Sequence, residues 1–335
     1  MNAHLLKTTL YVSVLLCAAA PAQADWVRRV TDGIMGTRIT VELWAEDKGK
    51  AEQAIDAVLS EMRHIDESMS TYKATSEVSQ VNAKAADGAM HISKELFDLL
   101  VTAKEYSVIT DGAFDITYAS VGYLYDFRKH VHPDEAQIDK ALPAVDYRHV
   151  LLDAQKQTVQ FSRKGVRIDL GGIAKGYSVD RGIDILKSLG FTRMYVSAGG
   201  DSRIVGDRFG KPWMVGIRDP RKGEGAVITR IPLADAAIST SGDYERFFEE
   251  DGVRYHHIID PHTGRSASKV RSATIIGPLA TRTDGLSKTA FVLGPEKAME
   301  IYNRIDDIDA IIVKLDGTVI YSKGIEPAHG AAPAK

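Results

Sequence analysis

The 335-residue chain has one cysteine, Cys17, and it stands in a leader-like stretch. Once that stretch is removed no thiol remains. This excludes a disulfide framework, a thiolate nucleophile and a cysteine-ligated metal. An excess of positive charge is also missing, since the formal net charge is −3. No basic run points to nucleic acid or to an anionic lipid surface. The apolar run at 9–20 is too short for a comfortable membrane span. There is no internal repeat, no low-complexity linker and no regular alternation of strands with helices, which argues against a doubly wound sheet. What is there is an ordinary globular balance, 44% hydrophobic and 26% charged. The length allows one large domain or two intimate ones.

The N-terminus reads as an export signal. Lys7 is the only charged side chain before Asp25, an apolar run follows it, and Ala22-Gln23-Ala24 is an A-x-A cleavage site. Cleavage is expected after Ala24, with an N-terminal membrane anchor as the alternative. Leu16 precedes Cys17 where a lipoprotein signal needs a small residue, so a lipoprotein is not expected. One domain is then expected over 25–324, with room for two lobes that meet in 130–150. The tail at 325–335, rich in Ala, Pro and Gly, is expected to be disordered.

Thr37, Ile39, Val41 and Leu43 alternate with polar neighbours and predict a half-buried strand. Ala51, Ala54, Ile55, Val58, Leu59, Met62, Ile65 and Met69 fall on one helical stripe. A second helix is expected through Leu96, Leu99, Leu100, Ala103 and Tyr106. Strand-like runs fill 149–169, a helix follows over about 173–189, and many short strands occupy 193–277. Helices are expected at 286–293 and 296–305, then a hairpin turning at Asp316-Gly317. The fold class is α+β.

Several segments carry chemistry. Asp169-Leu170-Gly171-Gly172-Ile173-Ala174-Lys175-Gly176 joins a strand to a helix, where backbone N–H groups and the helix N-terminus favour an anion. The bland alternative is a tight turn with a solvated lysine. It is not a Walker A loop, because the lysine spacing is wrong. Ser197-Ala198-Gly199-Gly200-Asp201 is a second glycine turn, which positive φ alone would explain. Ser70-Thr71-Tyr72-Lys73 fits S-x-x-K, but the companion motifs of the penicillin-recognising enzymes are incomplete. His256 and His257 are adjacent on a short strand, so only one can face a given site. An imidazole with an ordinary pKa near 6.5 is the usual general base. Asp284, with Ser287 and Lys288, reads as the opening turn of a helix, either an oxygen site for Mg²⁺ or a helix-terminal acid.

Together these segments resemble the ApbE-type FAD:protein FMN transferases. The resemblance runs from Met35-Gly36-Thr37 through Ser70-Thr71-Tyr72, Gly112-Ala113-Phe114-Asp115-Ile116-Thr117 and the Asp169–Tyr177 segment. It continues through Ala198-Gly199-Gly200-Asp201, Ser239-Thr240-Ser241-Gly242-Asp243-Tyr244 and His257-Ile258-Ile259-Asp260-Pro261. It closes on Asp284 and Phe291-Val292-Leu293-Gly294-Pro295.

The resemblance implies an ApbE-like α+β fold, with mixed sheets, flanking helices and a flavin site in a central cleft. It implies an exported, periplasmic enzyme that moves FMN from FAD onto a threonine of another protein and releases AMP. The acceptor motif would resemble D-x-x-[ST]-[GAS]-[AST]-T, in subunits of membrane redox complexes. By matched position Met35, Tyr72, Ala113, Phe114, Asp115, Asp169, Lys175 and Ile259 would line the FAD site. His257 would be the essential histidine, and the Gly172 carbonyl and Asp284 would hold Mg²⁺. One departure stands out. Four residues after the metal-binding Asp the family usually has a threonine ligand, and here Lys288 stands there. Either Ser287 completes the shell, or Lys288 turns away, or its charge replaces part of the metal's role. Two rivals share the same site: a non-catalytic FAD-binding or delivery protein, and an FAD pyrophosphatase with water in place of threonine.

Overall fold

The computed structural model describes residues 24–223 and 225–325. The leader before residue 24, with its expected cleavage motif, and the tail after 325 lie outside the described residues. The chain opens with a hairpin of β1 (Asp25–Ile34) and β2 (Thr37–Ala45), paired from Asp25↔Ala45 to Ile34↔Thr37. Met35 and Gly36 close it with φ of 53° and 66°. Two consecutive positive φ values are what a two-residue turn matched to strand twist requires. Helix α1 (Lys48–Met69) is capped by the Asp47 side chain on Lys50 N at 3.1 Å. It buries the same eight apolar residues that the sequence stripe marks. Then come α2 (Glu77–Lys84), β3 (Met90–His91), α3 (Lys94–Ile109) and α4 (Ala119–Gly122). The stretch 130–150 holds α5 (Glu135–Ala141) and two short 3-10 turns. Strands β4 (Val150–Asp153) and β5 (Thr158–Phe161) follow and pair with β3 in a three-stranded sheet, order β3-β5-β4. Val78, Val81, Leu96, Leu100, Val159 and Phe161 fill the core beneath it.

The second half begins with α6 (Ala174–Ser188), then β6 (Met194–Ala198), β7 (Asp201–Val205), β8 (Trp213–Arg218), β9 (Val227–Leu233) and β10 (Ala237–Gly242). After these come β11 (Phe247–Glu250), β12 (Val253–His256), β13 (Val270–Gly277), α7 (Ala280–Leu286), α8 (Thr289–Leu293) and α9 (Pro295–Tyr302). The hairpin of β14 (Asp309–Lys314) and β15 (Val319–Tyr321) completes the described chain. An eight-stranded sheet runs β1-β2-β6-β7-β10-β13-β14-β15. Each strand pair is antiparallel, which is narrower than the mixed sheets read from the sequence. Helices α1 and α6 to α9 pack along this sheet. A separate cluster joins Ile204, Ile238 and Ile311 of the large sheet to Trp213, Ile217 and Leu233 of the β8–β9 hairpin.

One contact sets the geometry of the site. A Cβ at Gly176 would lie 2.1 Å from Ala280 O and 2.8 Å from Asp284 Cβ, so only glycine lets α6 lie this close to α7.

Candidate active site

Asp284 is fully buried, and α6 meets it head-on. Its Oδ2 accepts the Gly176 N–H at 3.0 Å and the Lys175 ammonium at 3.4 Å. The anion at the helix N-terminus is therefore one of the protein's own carboxylates, held by the Gly176 N–H, the Lys175 ammonium and the helix dipole. Asp284 does not open its helix, as the sequence suggested. It lies within α7, which starts at Ala280 because Asp180 of α6 accepts the N–H groups of Ala280 at 3.0 Å and Thr281 at 2.8 Å. Ser287 is the C-cap of α7, and Lys288 precedes α8.

Two lysines face this carboxylate. Lys175 Nζ also lies 2.8 Å from Asp201 Oδ2 and donates to Gly171 O at 3.3 Å. Lys288 Nζ donates to Gly172 O at 3.0 Å and Asp284 O at 2.7 Å, and pairs with Asp284 Oδ1. The two buried carboxylates and the two half-buried lysines make a quartet with no net formal charge. Burial pushes the Asp284 carboxyl up, but the ammonium groups of Lys175 and Lys288 hold it below the usual carboxylate range. Burial and the nearby Asp284 charge push Asp201 the other way, upward. Burial lowers Lys288 and also opposes the charge on Lys175, whose two carboxylates nonetheless raise its pKa.

Asp201 reaches Lys175 because the β6–β7 hairpin turns on Gly199 and Gly200. Gly199 has φ of 63°, and a Cβ on Gly200 would lie 2.7 Å from Thr240 O. At the other side, Asp169 accepts from Thr71 Oγ1 at 2.7 Å, Tyr118 Oη at 2.9 Å and Gly171 N at 2.8 Å. These bonds pin the glycine loop to the α1–α2 connection. Tyr72, next to Thr71, is 86% exposed. Met35 is half-buried at its positive-φ turn.

His257 lies one residue past β12, while His256 ends that strand inside the core, 2% exposed and edge-on to Phe291. His257 Nδ1 is buried and has no hydrogen-bond partner among the described residues. Burial, followed by the charges of its surroundings including Arg246, Lys175 and Lys288, pushes this imidazole down to about 3. The ordinary value expected from the sequence is thus corrected: the ring is neutral at neutral pH. Arg246 is exposed, its Nη2 3.5 Å from Gly36 O, and its charge acts on both His257 and Tyr118.

Not every predicted residue points into the site. Phe114 does approach it, its ring edge 3.3 Å from where a Gly172 Cβ would stand. Ala113, Asp115 and Ile259 are buried side chains. The Asp115 carboxylate is fully engaged by Thr117 N at 2.7 Å, Thr117 Oγ1 at 2.6 Å and Tyr147 N at 2.7 Å. It holds the loop after α3 in shape. Ser287 is occupied as well, donating to Asp284 O at 2.8 Å and pairing with Ser241 Oγ at 2.7 Å. The oxygens that converge are Gly172 O, Asp284 O and Asp284 Oδ1, without Ser287. Sequence reading missed Asp201, Tyr118, Thr71 and Arg246 as neighbours of the site, although Asp201 and Thr71 lay inside segments it singled out.

The ApbE family model matches residues 35–312, a span that includes every residue of this cluster. The chain belongs to the ApbE family. An FAD:protein FMN transferase of Vibrio cholerae is 32% identical over 314 residues, covering 91% of this chain and 92% of that one. One from Treponema pallidum is 31% identical, covering 87% of this chain and 86% of that one. The crystal structure of the ApbE protein from Thermotoga maritima superposes with a TM-score of 0.82 at 35% identity, covering 90% of this chain and 98% of that chain. An apo ApbE flavinyl transferase from Pseudomonas stutzeri gives 0.77 at 28% identity, over 90% and 95% of the chains.

A divalent metal at the quartet can be tested against the donors present. Two carbonyl oxygens and a carboxylate are the hard donors that Mg²⁺ takes. Their common focus already holds a cation, the Lys288 ammonium, as a stand-in. The donor set therefore fits the ion.

Proposed function

We infer that this chain is an FAD:protein FMN transferase, moving FMN from FAD onto a threonine hydroxyl of an acceptor flavoprotein and releasing AMP. Family membership supports the activity. The observation that carries the chemistry is His257, its buried Nδ1 without a partner among the described residues, near enough to Lys175 and Lys288 for their charges to push its pKa down. Phosphoryl transfer needs positioning and charge neutralisation more than covalent catalysis.

In this reading His257 takes the proton from the incoming threonine hydroxyl. The threonine oxygen forms a bond to the FMN-side phosphorus as the bond from that phosphorus to the AMP oxygen breaks, and AMP leaves with the electron pair. Lys175 sits at the start of α6, where its ammonium lies beside a diphosphate placed over the glycine loop. Asp201 and Asp284 hold that ammonium in place. Exposed Arg246 offers a second positive charge. Exposed Tyr72 presents an aromatic face for one of the flat rings of FAD. The backbone N–H groups of Ala113 and Phe114 are taken by Thr110 and the Asp115 carbonyl by Tyr118 N, so these positions would shape the wall of the site. Mg²⁺ held by Gly172 O and Asp284 would screen the diphosphate charge when bound.

We further propose that residues 1–24 are removed on export and that the enzyme works in the periplasm from Asp25 onward. The support is Lys7, the apolar run and Ala22-Gln23-Ala24. Among the described residues no helix is long and apolar enough to cross a membrane. The acceptor is proposed to carry a D-x-x-[ST]-[GAS]-[AST]-T-like motif in a subunit of a membrane redox complex. Intact-mass measurement of such an acceptor fragment after incubation with FAD tests the function. A gain of one FMN supports transfer. FMN and AMP without an adduct mean hydrolysis, and unchanged FAD means binding alone. N-terminal sequencing of the native protein tests export, and an intact Met1 would overturn it.

A further inference from the structure

The cation position in this site is filled from within. Lys288 Nζ sits on three oxygens of two elements: Gly172 O at 3.0 Å, Asp284 O at 2.7 Å, and Asp284 Oδ1. An ammonium has three N–H donors and no acceptor, so three oxygens satisfy it completely. Its side chain is 18% exposed, and its Cε stands 3.7 Å from where a Gly172 Cβ would be. The stem is held against the same loop whose carbonyl the ammonium takes. Lys288 lies four residues beyond Asp284, at the junction of α7 and α8, so the tether is short and the register fixed. The second buried carboxylate, Asp201, is engaged by Lys175 at 2.8 Å, so Lys288 makes its carboxylate contact with Asp284.

We propose that Lys288 is a tethered competitor of the divalent cation. In the free enzyme the ammonium occupies the position that a metal would need. Metal entry is then an exchange in which the ammonium leaves all three oxygens as the ion arrives. The two cations cannot share the site, because they would stand in contact around a single carboxylate. The exchange has two consequences. Without metal, Asp284 stays paired although it is wholly buried, so the metal-free protein keeps its quartet intact. With metal, binding must overcome the loss of the Lys288 contacts and the displacement of its half-buried ammonium, so the free enzyme holds a divalent ion weakly. The naming of this position as the one that serves the diphosphate rests on the transferase reading. The competition itself rests on the contacts.

The test is a titration of the purified protein with manganous ion alone, read by the electron paramagnetic resonance of free Mn²⁺. No FAD and no acceptor is present. The wild type is compared with Lys288→Thr and Lys288→Gln, and the binding counted is the part that Asp284→Asn removes. Both Lys288 variants are expected to bind one Mn²⁺ at least about tenfold more tightly than the wild type, the factor that losing even one charge-assisted contact commands. Their melting temperatures should rise with added MgCl₂ more than that of the wild type does, by mass action on the folded state. Equal affinity in wild type and variants would overturn the proposal, whether all bind tightly or none binds. Because FAD is absent, a failure of FMN transfer leaves this result untouched, and a failure here leaves the transferase reading standing.

Discussion

Replacing His257 with alanine separates chemistry from binding and from stability. The side chain is half-buried with its Nδ1 enclosed, and burial first of all pushes its pKa down to about 3, well under the ordinary value near 6.5. An ordinary histidine would be roughly 90% protonated at pH 5.5 and useless as a base. His257 would still be neutral there. Single-turnover transfer by the wild type should therefore stay flat, within about twofold, from pH 7.5 to 5.5. The variant should lose on the order of 10²–10⁴-fold in turnover at every pH in that window, with FAD affinity kept. Stability gives an independent reading. The folded pKa lies below the unfolded one, so between about pH 3 and 6.5 the unfolded chain binds the extra proton. This contribution is present in full above pH 6.5 and is lost as the pH falls toward 3. By pH 4.5 the loss amounts to about 3 kcal/mol, a melting shift of several degrees in a domain of this size. His257→Ala lacks the group, so its melting temperature should fall less than that of the wild type between pH 7 and 4.5. A tenfold loss of wild-type rate by pH 5.5 would refute the burial argument. Near wild-type transfer by the variant, or a loss confined to FAD binding, would refute the base assignment. The role would then pass to Asp260 rather than Asp243, because Arg221 Nη1 holds Asp243 at 2.8 Å and Arg254 stands on the same carboxylate.

His256→Ala should leave turnover within a fewfold of wild type while costing about 1–3 kcal/mol in a denaturant melt, since its buried ring packs on Phe291 and its Nδ1 accepts from Ile258 N. Gly176→Ala should destabilise the fold by about 1–3 kcal/mol or more, because the new Cβ meets Ala280 O at 2.1 Å. The same variant should lower transfer as α6 is pushed off Asp284, and unchanged melting and transfer would contradict the close-packing account. EDTA should abolish transfer, and undiminished transfer in EDTA would mean that the Lys288 ammonium does the work of the metal unaided.

Helix α1 was legible because its eight apolar residues follow the helical period, and all of them are buried. The start of α7 was not, because its cap comes from Asp180, about a hundred residues earlier, and Leu279 at the local N-cap offers no side-chain bond. Helix α5 carried a signal that went unread: Asp134 and Gln137 form a reciprocal capping box. At the site, the glycine loop, His257 and Asp284 could be picked out as residue types in a pattern. The pairing of Lys175 with Asp201 could not, because it depends on a hairpin turn bringing together residues with no sequence relation. The buried state of His257 was equally hidden. A histidine just past a strand of mixed polarity carries no mark of how much water its ring will see, and its pKa follows from that.

The most direct test of the central claim is the stoichiometry of products. Wild-type enzyme, FAD and an acceptor fragment with one threonine in the motif are incubated to completion, and AMP and the FMN-bearing peptide are quantified by mass spectrometry. One AMP is expected for each FMN esterified to threonine, with no free FMN, and both products are lost together in His257→Ala. AMP released with free FMN and an unmodified threonine would contradict that claim.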